Sequence, residues 1–237
     1  MRILALDSAT ENCSVALLIG RRLIAREQLL ERGHAEHILP MADALLKEAD
    51  VSLGALSAIA FGRGPGSFTG VRLAASVAQG LAFGAGLPVV PISDLRALAQ
   101  RVLELDAAVR RVLVCNDARM HEVYWGCFER AAAGAVAAAA QEEQVGRPAT
   151  VALPASWSKT PGAVHASGSG FAAYPELRSA LAGCLDRVHD GLLPRAAEIA
   201  RLAVPEVASG RVLPAEQALP VYLRDDVAHA PAGKSLN

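Results

Sequence analysis

The stretch FGRGPGSFTG at positions 61–70 constrains this chain most, because it stands between an apolar run at 56–61 and a helix-forming run at 71–83. A strand must turn there and launch a helix within a few residues. Glycine tolerates the φ > 0 angles that such a turn uses. Gly62, Gly64, Gly66 and Gly70 supply that freedom, Pro65 stiffens the middle, and Ser67 or Thr69 is placed to cap the helix. Unpaired N–H groups at a helix start can hold a phosphate or carboxylate. A tight turn that binds nothing accounts for the same residues equally well. Established phosphate loops fit poorly. No lysine follows Gly66, where Ser67, Phe68 and Thr69 stand, and a dinucleotide turn would follow the first strand rather than several.

A chain of 237 residues forms one large domain or two small ones, and either buries a real core. No apolar run approaches the ~20 residues needed to span a bilayer. Met1 and Arg2 lead directly into a strand without a signal-peptide core, so the expectation is a soluble, cytoplasmic protein. Cys13, Cys115, Cys127 and Cys184 are widely spaced, three of them in apolar runs, which predicts buried reduced thiols. A net charge of −1 and an aromatic fraction of 4% give neither a basic footprint nor a set of stacking rings, so unaided nucleic-acid binding is not expected.

Along the chain, residues 2–6, 13–19 and 23–29 read as a three-strand antiparallel meander. Asp7 and Thr10 lie where the first strand runs out, within reach of a ligand, although Asp7 equally suits closing its own turn. A helix follows Gly33, with Ile38, Met41, Ala42, Leu45, Leu46 and Ala49 on one face. Pro40 predicts either a late start near Leu39 or a kink. His34 and His37 are three apart but lack a third ligand at a recognised spacing, so no metal is expected. The run at 71–83 is apolar on nearly all sides, and its small residues would let another helix approach closely.

Residues 87–92 read as a buried strand, and Ser93 as the cap of the next helix. Residues 106–110 then cross to a second unit. There the opening repeats: a strand, Asp117, a turn, and a strand at 123–128 copy the order around Asp7. Two successive halves that begin alike predict two related α/β domains, 1–106 and 107–237, with any ligand in the cleft between them. Low-complexity residues 131–140 read as a hairpin with a variable tip. A strand at 163–166 enters a second glycine turn at Gly168 and Gly170, and Pro194 opens a helix that Pro205 should end. Residues 220–224 read as extended, and 227–237 as disordered.

Five segments in order carry a resemblance from position 1 to about 227: RILALDSATENCSVAL, GRGPGSFTGVRLAASVAQGLA, DARMHEVYW, GSGF with YPEL, and PVYLR. Together they resemble the bacterial TsaB (YeaZ) family of tRNA threonylcarbamoyladenosine biosynthesis proteins. That resemblance implies two ribonuclease-H-like lobes of the actin-like, hexokinase-like ATPase superfamily, with mixed sheets flanked by helices. It implies a non-catalytic subunit required for threonylcarbamoyl transfer to adenosine 37 of tRNAs reading codons that begin with A. The implied partners are the paralogous transferase TsaD and the ATPase TsaE, with tRNA met only through the complex and a homodimer when alone. No cofactor of its own is implied; ATP or ADP would enter in the assembled complex.

The sequence fits that division. The transferase carries a His-x-x-x-His metal motif at the start of the helix matched here by Ser93-Asp94-Leu95-Arg96-Ala97, which has no histidine. The turn after Asp7 lacks the glycine of nucleotide-hydrolysing relatives. Asp7, Thr10, Gly64, Gly66, Ser67 and Thr69 remain the only candidates for nucleotide contact. An interface is expected on Ile38, Met41, Ala42 and Leu45 of one helix and Ala75, Ala78 and Ala82 of the next. Two other classes stay open. A glycoprotease-like peptidase would need a nucleophile with a base or a metal-bound water, and a small-molecule kinase of this fold would use Asp7 or Asp117 as base.

Overall fold

The computed structural model describes residues 1–131, 136–157 and 163–224. Its first half is built on β1 (Arg2–Asp7), β2 (Asn12–Ile19) and β3 (Arg22–Leu29), the expected antiparallel meander. Then come α1 (His34–Glu48), β4 (Ala58–Gly62), α2 (Phe68–Ala85), β5 (Val89–Ile92) and α3 (Asp94–Leu105). The sheet order is β3-β2-β1-β4-β5, with β1, β4 and β5 parallel. Alternation along β1 decides which layer each side chain enters. Leu4 and Leu6 face the layer that holds α1 and α2, whereas Ile3 and Ala5 face the one that holds α3.

The second half starts with β6 (Arg111–Arg119) and β7 (Glu122–Arg130), joined in turn to β8 (Ala137–Ala139) and β9 (Gln144–Gly146), both antiparallel to β7. After β10 (Val164–Ser167) follow two short helices, α4 (Gly170–Ala173) and α5 (Glu176–Leu181), then β11 (Leu185–His189) and α6 (Ala196–Ala208). This sheet runs β11-β10-β6-β7-β8. The β7–β8 hairpin matches expectation. The expected variable tip falls on 132–135, and these residues and the tail at 227–237 lie outside the described residues.

The two mixed sheets flanked by helices make this an α/β protein of the architecture that the resemblance implies. Chain order and spatial order part company near the C-terminus. Helix α6 packs on β1, β2, β4 and β5 of the first sheet, and Leu213 bridges to Val89. The layer between the sheets is therefore shared, drawing Leu95 and Leu98 from α3, Ile199 and Leu202 from α6, and Val112 and Phe128 from the second sheet.

The late start near Leu39 is not seen in α1, and Pro205 does not end α6. Helix α1 starts at His34 and runs through Pro40, which is exposed. Helix α6 continues three residues past Pro205. An interior proline costs about 3 kcal/mol, but the inner faces of both helices are buried, and tertiary packing rather than propensity decides helix extent. Cys13, Cys115 and Cys127 are buried free thiols, and burial pushes Cys13 up to about 11 and Cys127 to about 12.

Candidate functional site

The glycine loop between β4 and α2 is closed by the protein's own backbone. Ser67 N–H donates to Ala9 O at 2.7 Å, and Ser8 Oγ donates to Gly70 O at 2.8 Å. A Cβ on Gly70 would overlap the Ser8 carbonyl oxygen, and one on Gly66 would stand 2.6 Å from Ala9 O. The glycines thus let the β1–β2 turn lie directly on the start of α2. Gly64 N–H donates to Asp94 Oδ2 at 2.6 Å, and from the other side Val221 N–H donates to Arg63 O at 2.8 Å. The tail at 220–224 meets the loop through that bond and forms no strand. Arg224 then joins it to Ala118 O and Glu122 of the β6–β7 hairpin.

The residues considered for nucleotide contact fall into three settings. Asp7 is fully buried, and its Oδ1 accepts from Ala9 N–H at 2.8 Å. Gly64 and Gly66 are packed as described, and Thr10 Oγ1 accepts from Asn12 N–H at 3.2 Å. Ser67 and Thr69 are exposed; Ser67 occupies the cap position of α2 without a side-chain capping bond. By contrast Ser93 does cap α3, accepting from Arg96 N–H at 3.1 Å. His34 Nε2 lies 2.9 Å from Thr10 O, which ties α1 to the same turn.

The residues expected at an interface lie largely inside the single chain. Ile38, Ala42, Leu45, Ala75, Ala78 and Ala82 are buried between the two helices and the first sheet, and Met41 is half-buried. Their burial holds α1 and α2 in place, at about 1.5–3 kcal/mol for each large side chain. What α2 offers outward is a different set: Phe68, Arg72, Ser76, Gly80, Phe83 and Gly84 are all exposed. A Cβ added at Gly80 or Gly84 would meet nothing within 4 Å. The face therefore carries the small residues Ser76, Gly80 and Gly84, with Arg72 and Phe68 (62% exposed) toward one end and Phe83 (76% exposed) toward the other. At the N-terminal end the Arg72 guanidinium lies 3.2 Å over the Phe68 ring, with Tyr222 of the tail beside it. Sequence periodicity had the signal, since positions 68, 72, 76, 80 and 83 recur at helical spacing, but an all-apolar helix does not say which side faces the sheet.

The second lobe repeats the device. Asp117 Oδ1 accepts from Arg119 N–H at 2.8 Å, and Gly168, at φ 115°, lies so close to Cys115 O that a Cβ would overlap it. The relation between the halves is thus present in three dimensions.

Known proteins bear on this geometry. The chain matches the family of tRNA N6-adenosine threonylcarbamoyltransferase, TsaD, over residues 27–230. It is also similar to the tRNA threonylcarbamoyladenosine biosynthesis protein TsaB of Escherichia coli, at 41% identity over 96% of each chain. The chain belongs to the TsaB family. TsaB of Haemophilus influenzae is 53% identical over about half of each chain. Two solved structures from Pseudomonas aeruginosa share the fold across 94% of this chain and 99% of theirs. One, described as YeaZ, is 42% identical with a TM-score of 0.82. The other, described as similar to peptidase YeaZ, is 44% identical with a TM-score of 0.87. Among the described residues no helix is long and apolar enough to cross a membrane.

Proposed function

We propose that this chain is a non-catalytic partner subunit for threonylcarbamoyl transfer to adenosine 37 of tRNAs reading codons that begin with A. It binds and stabilises the transferase TsaD through the outer faces of α1 and α2, completes an assembly with TsaE, and pairs with itself when alone. It works in the cytoplasm, meets tRNA only through the complex, and has no cofactor of its own, ATP or ADP entering with the assembly.

The observation that carries this reading is the outer face of α2, an 18-residue helix that presents Ser76 and Gly80 to solvent between exposed Phe68 and Phe83, with exposed Gly84 next to Phe83. Small residues let a second helix approach closely, and aromatic residues are favoured anchors at interfaces. The glycine loop supports a non-catalytic role, because the N–H groups of Gly64 and Ser67 already serve Asp94 and Ala9. Reconstitution tests the reading: TsaD, TsaE, ATP and unmodified tRNA should give threonylcarbamoyladenosine when this chain is added and little without it. Equal product in its absence would refute the proposal.

A further inference from the structure

Asp7, at the end of β1, and Asp94, the first residue of α3, are both fully buried and meet across Gly62, the last residue of β4. A Cβ on that glycine would stand 2.5 Å from Asp94 Oδ1 and 2.8 Å from Asp7 Oδ1, so the absent side chain leaves the space that the two carboxyls fill. Each carboxyl holds a different piece of backbone. Asp7 Oδ1 accepts from Ala9 N–H in the β1–β2 turn, and Asp94 Oδ2 accepts from Gly64 N–H in the glycine loop. Among the described residues, the remaining oxygens, Asp7 Oδ2 and Asp94 Oδ1, are buried without a hydrogen-bond partner. The ionisable groups around them are His34 from α1, Cys13 from β2 and Arg63 from the loop. His34 contacts Thr10 O, and Arg63 is paired with Glu143 at 3.0 Å.

Two carboxylates facing each other in a low dielectric repel, and the arrangement is relieved when one of them keeps a proton. We propose that Asp7 and Asp94 share a single proton at neutral pH and form a pH-sensitive pin between the β1–β2 turn and the glycine loop. The proton sits on the Asp94 carboxyl and is directed at Asp7, while Asp94 Oδ2 still accepts from Gly64. When that proton passes to solvent, two anions oppose each other across Gly62, and the turn and the loop are pushed apart at their Ser67–Ala9 and Ser8–Gly70 bonds. Burial supports this order of titration. It raises Asp7 to about 6 and, with the charge of Asp7 added, holds Asp94 well above the ordinary aspartate range.

The sign follows from linkage. Both groups are raised in the folded state, so their contribution is fully favourable below the unfolded value near 4 and is lost as pH rises through the folded values. While the folded chain holds one extra proton, its folding constant falls about tenfold per pH unit. The test uses the chain alone and needs no partner, so its outcome is separate from that of complex formation. Urea unfolding from pH 5 to pH 8 compares the wild type with Asp94→Asn, which keeps an acceptor for Gly64 N–H and gives Asp7 a neutral donor. The wild type should lose at least about tenfold in folding constant relative to the variant across that range. A ratio that stays constant overturns the proposal. Carboxyl carbon NMR on the wild type decides independently of whether the variant folds. Asp7 and Asp94 should titrate as a linked pair with at least one step above about pH 6, whereas two separate titrations near the ordinary value of about 4 would overturn it.

Discussion

Asp7 and Asp117 hold the same place in two copies of one supersecondary unit, each accepting from the N–H two residues on at 2.8 Å, yet their surroundings diverge. Asp7 is sealed beneath the glycine loop. The Asp117 carboxyl is partly open and shared with Tyr174 Oη at 3.0 Å and Arg119 at 3.1 Å. The helices that follow diverge too, 18 residues for α2 and four for α4. One folding unit has thus been used twice with different emphasis. In the first lobe the turn is closed, and what remains available is the outer side of a long helix; in the second the turn stays near the surface and the helix is vestigial.

The largest effects should come from the glycines that both copies use. Gly70→Val and Gly168→Val each force a side chain into a carbonyl oxygen, and Gly168 also carries a positive φ, so each should cost about 3 kcal/mol or more in urea unfolding. If one of the two is tolerated, the copies are not packed alike and the comparison fails. Next in size is Ala78→Glu, which puts a charge into the layer under α2 and should lower stability by about 3 kcal/mol or more. A folded, stable variant would show that Ala78 lies on an outward face.

Smaller effects distinguish the lobes by pH. His189 Nε2 lies 2.8 Å from His165 Nδ1, and desolvation followed by the His165 charge lowers the pKa of His189 from its ordinary 6.5. A lowered value means that this stability is present above the unfolded pKa and is lost as pH falls below 6.5, opposite in sign to the carboxyl pair of the first lobe. His189→Gln should therefore flatten the decline in melting temperature between pH 7 and pH 5. An unchanged profile would remove the histidine pair from the account.

Much of the first lobe was legible from local pattern: the meander, the Ser93 cap and the repeat of strand, Asp, turn and strand rest on neighbours in sequence. The return of α6 to the first sheet was not, because that contact joins residues far apart in the chain. Nor was β11, whose partly exposed Leu-Asp-Arg-Val-His run lacks clean alternation. At the candidate site, φ > 0 was expected of Gly62, Gly64, Gly66 and Gly70, but of these four Gly64 alone adopts it, at 100°; the other three are needed because Asp94, Ala9 and Ser8 pack where a side chain would stand. Ala75, Ala78 and Ala82 were read as an interface because they are small, whereas the same smallness lets α2 lie close to its own sheet.

The central claim is that α2 docks through its outer stripe. Gly80→Leu tests it most directly, because leucine at an exposed helix position should stabilise the helix by about 0.5–1 kcal/mol while adding bulk where close approach is needed. Melting and TsaD affinity would be measured on the same preparation. The account predicts an equal or higher melting temperature with at least a tenfold loss of TsaD binding, on the order of 1.4 kcal/mol. A variant that folds normally and binds TsaD as tightly as the wild type would contradict it.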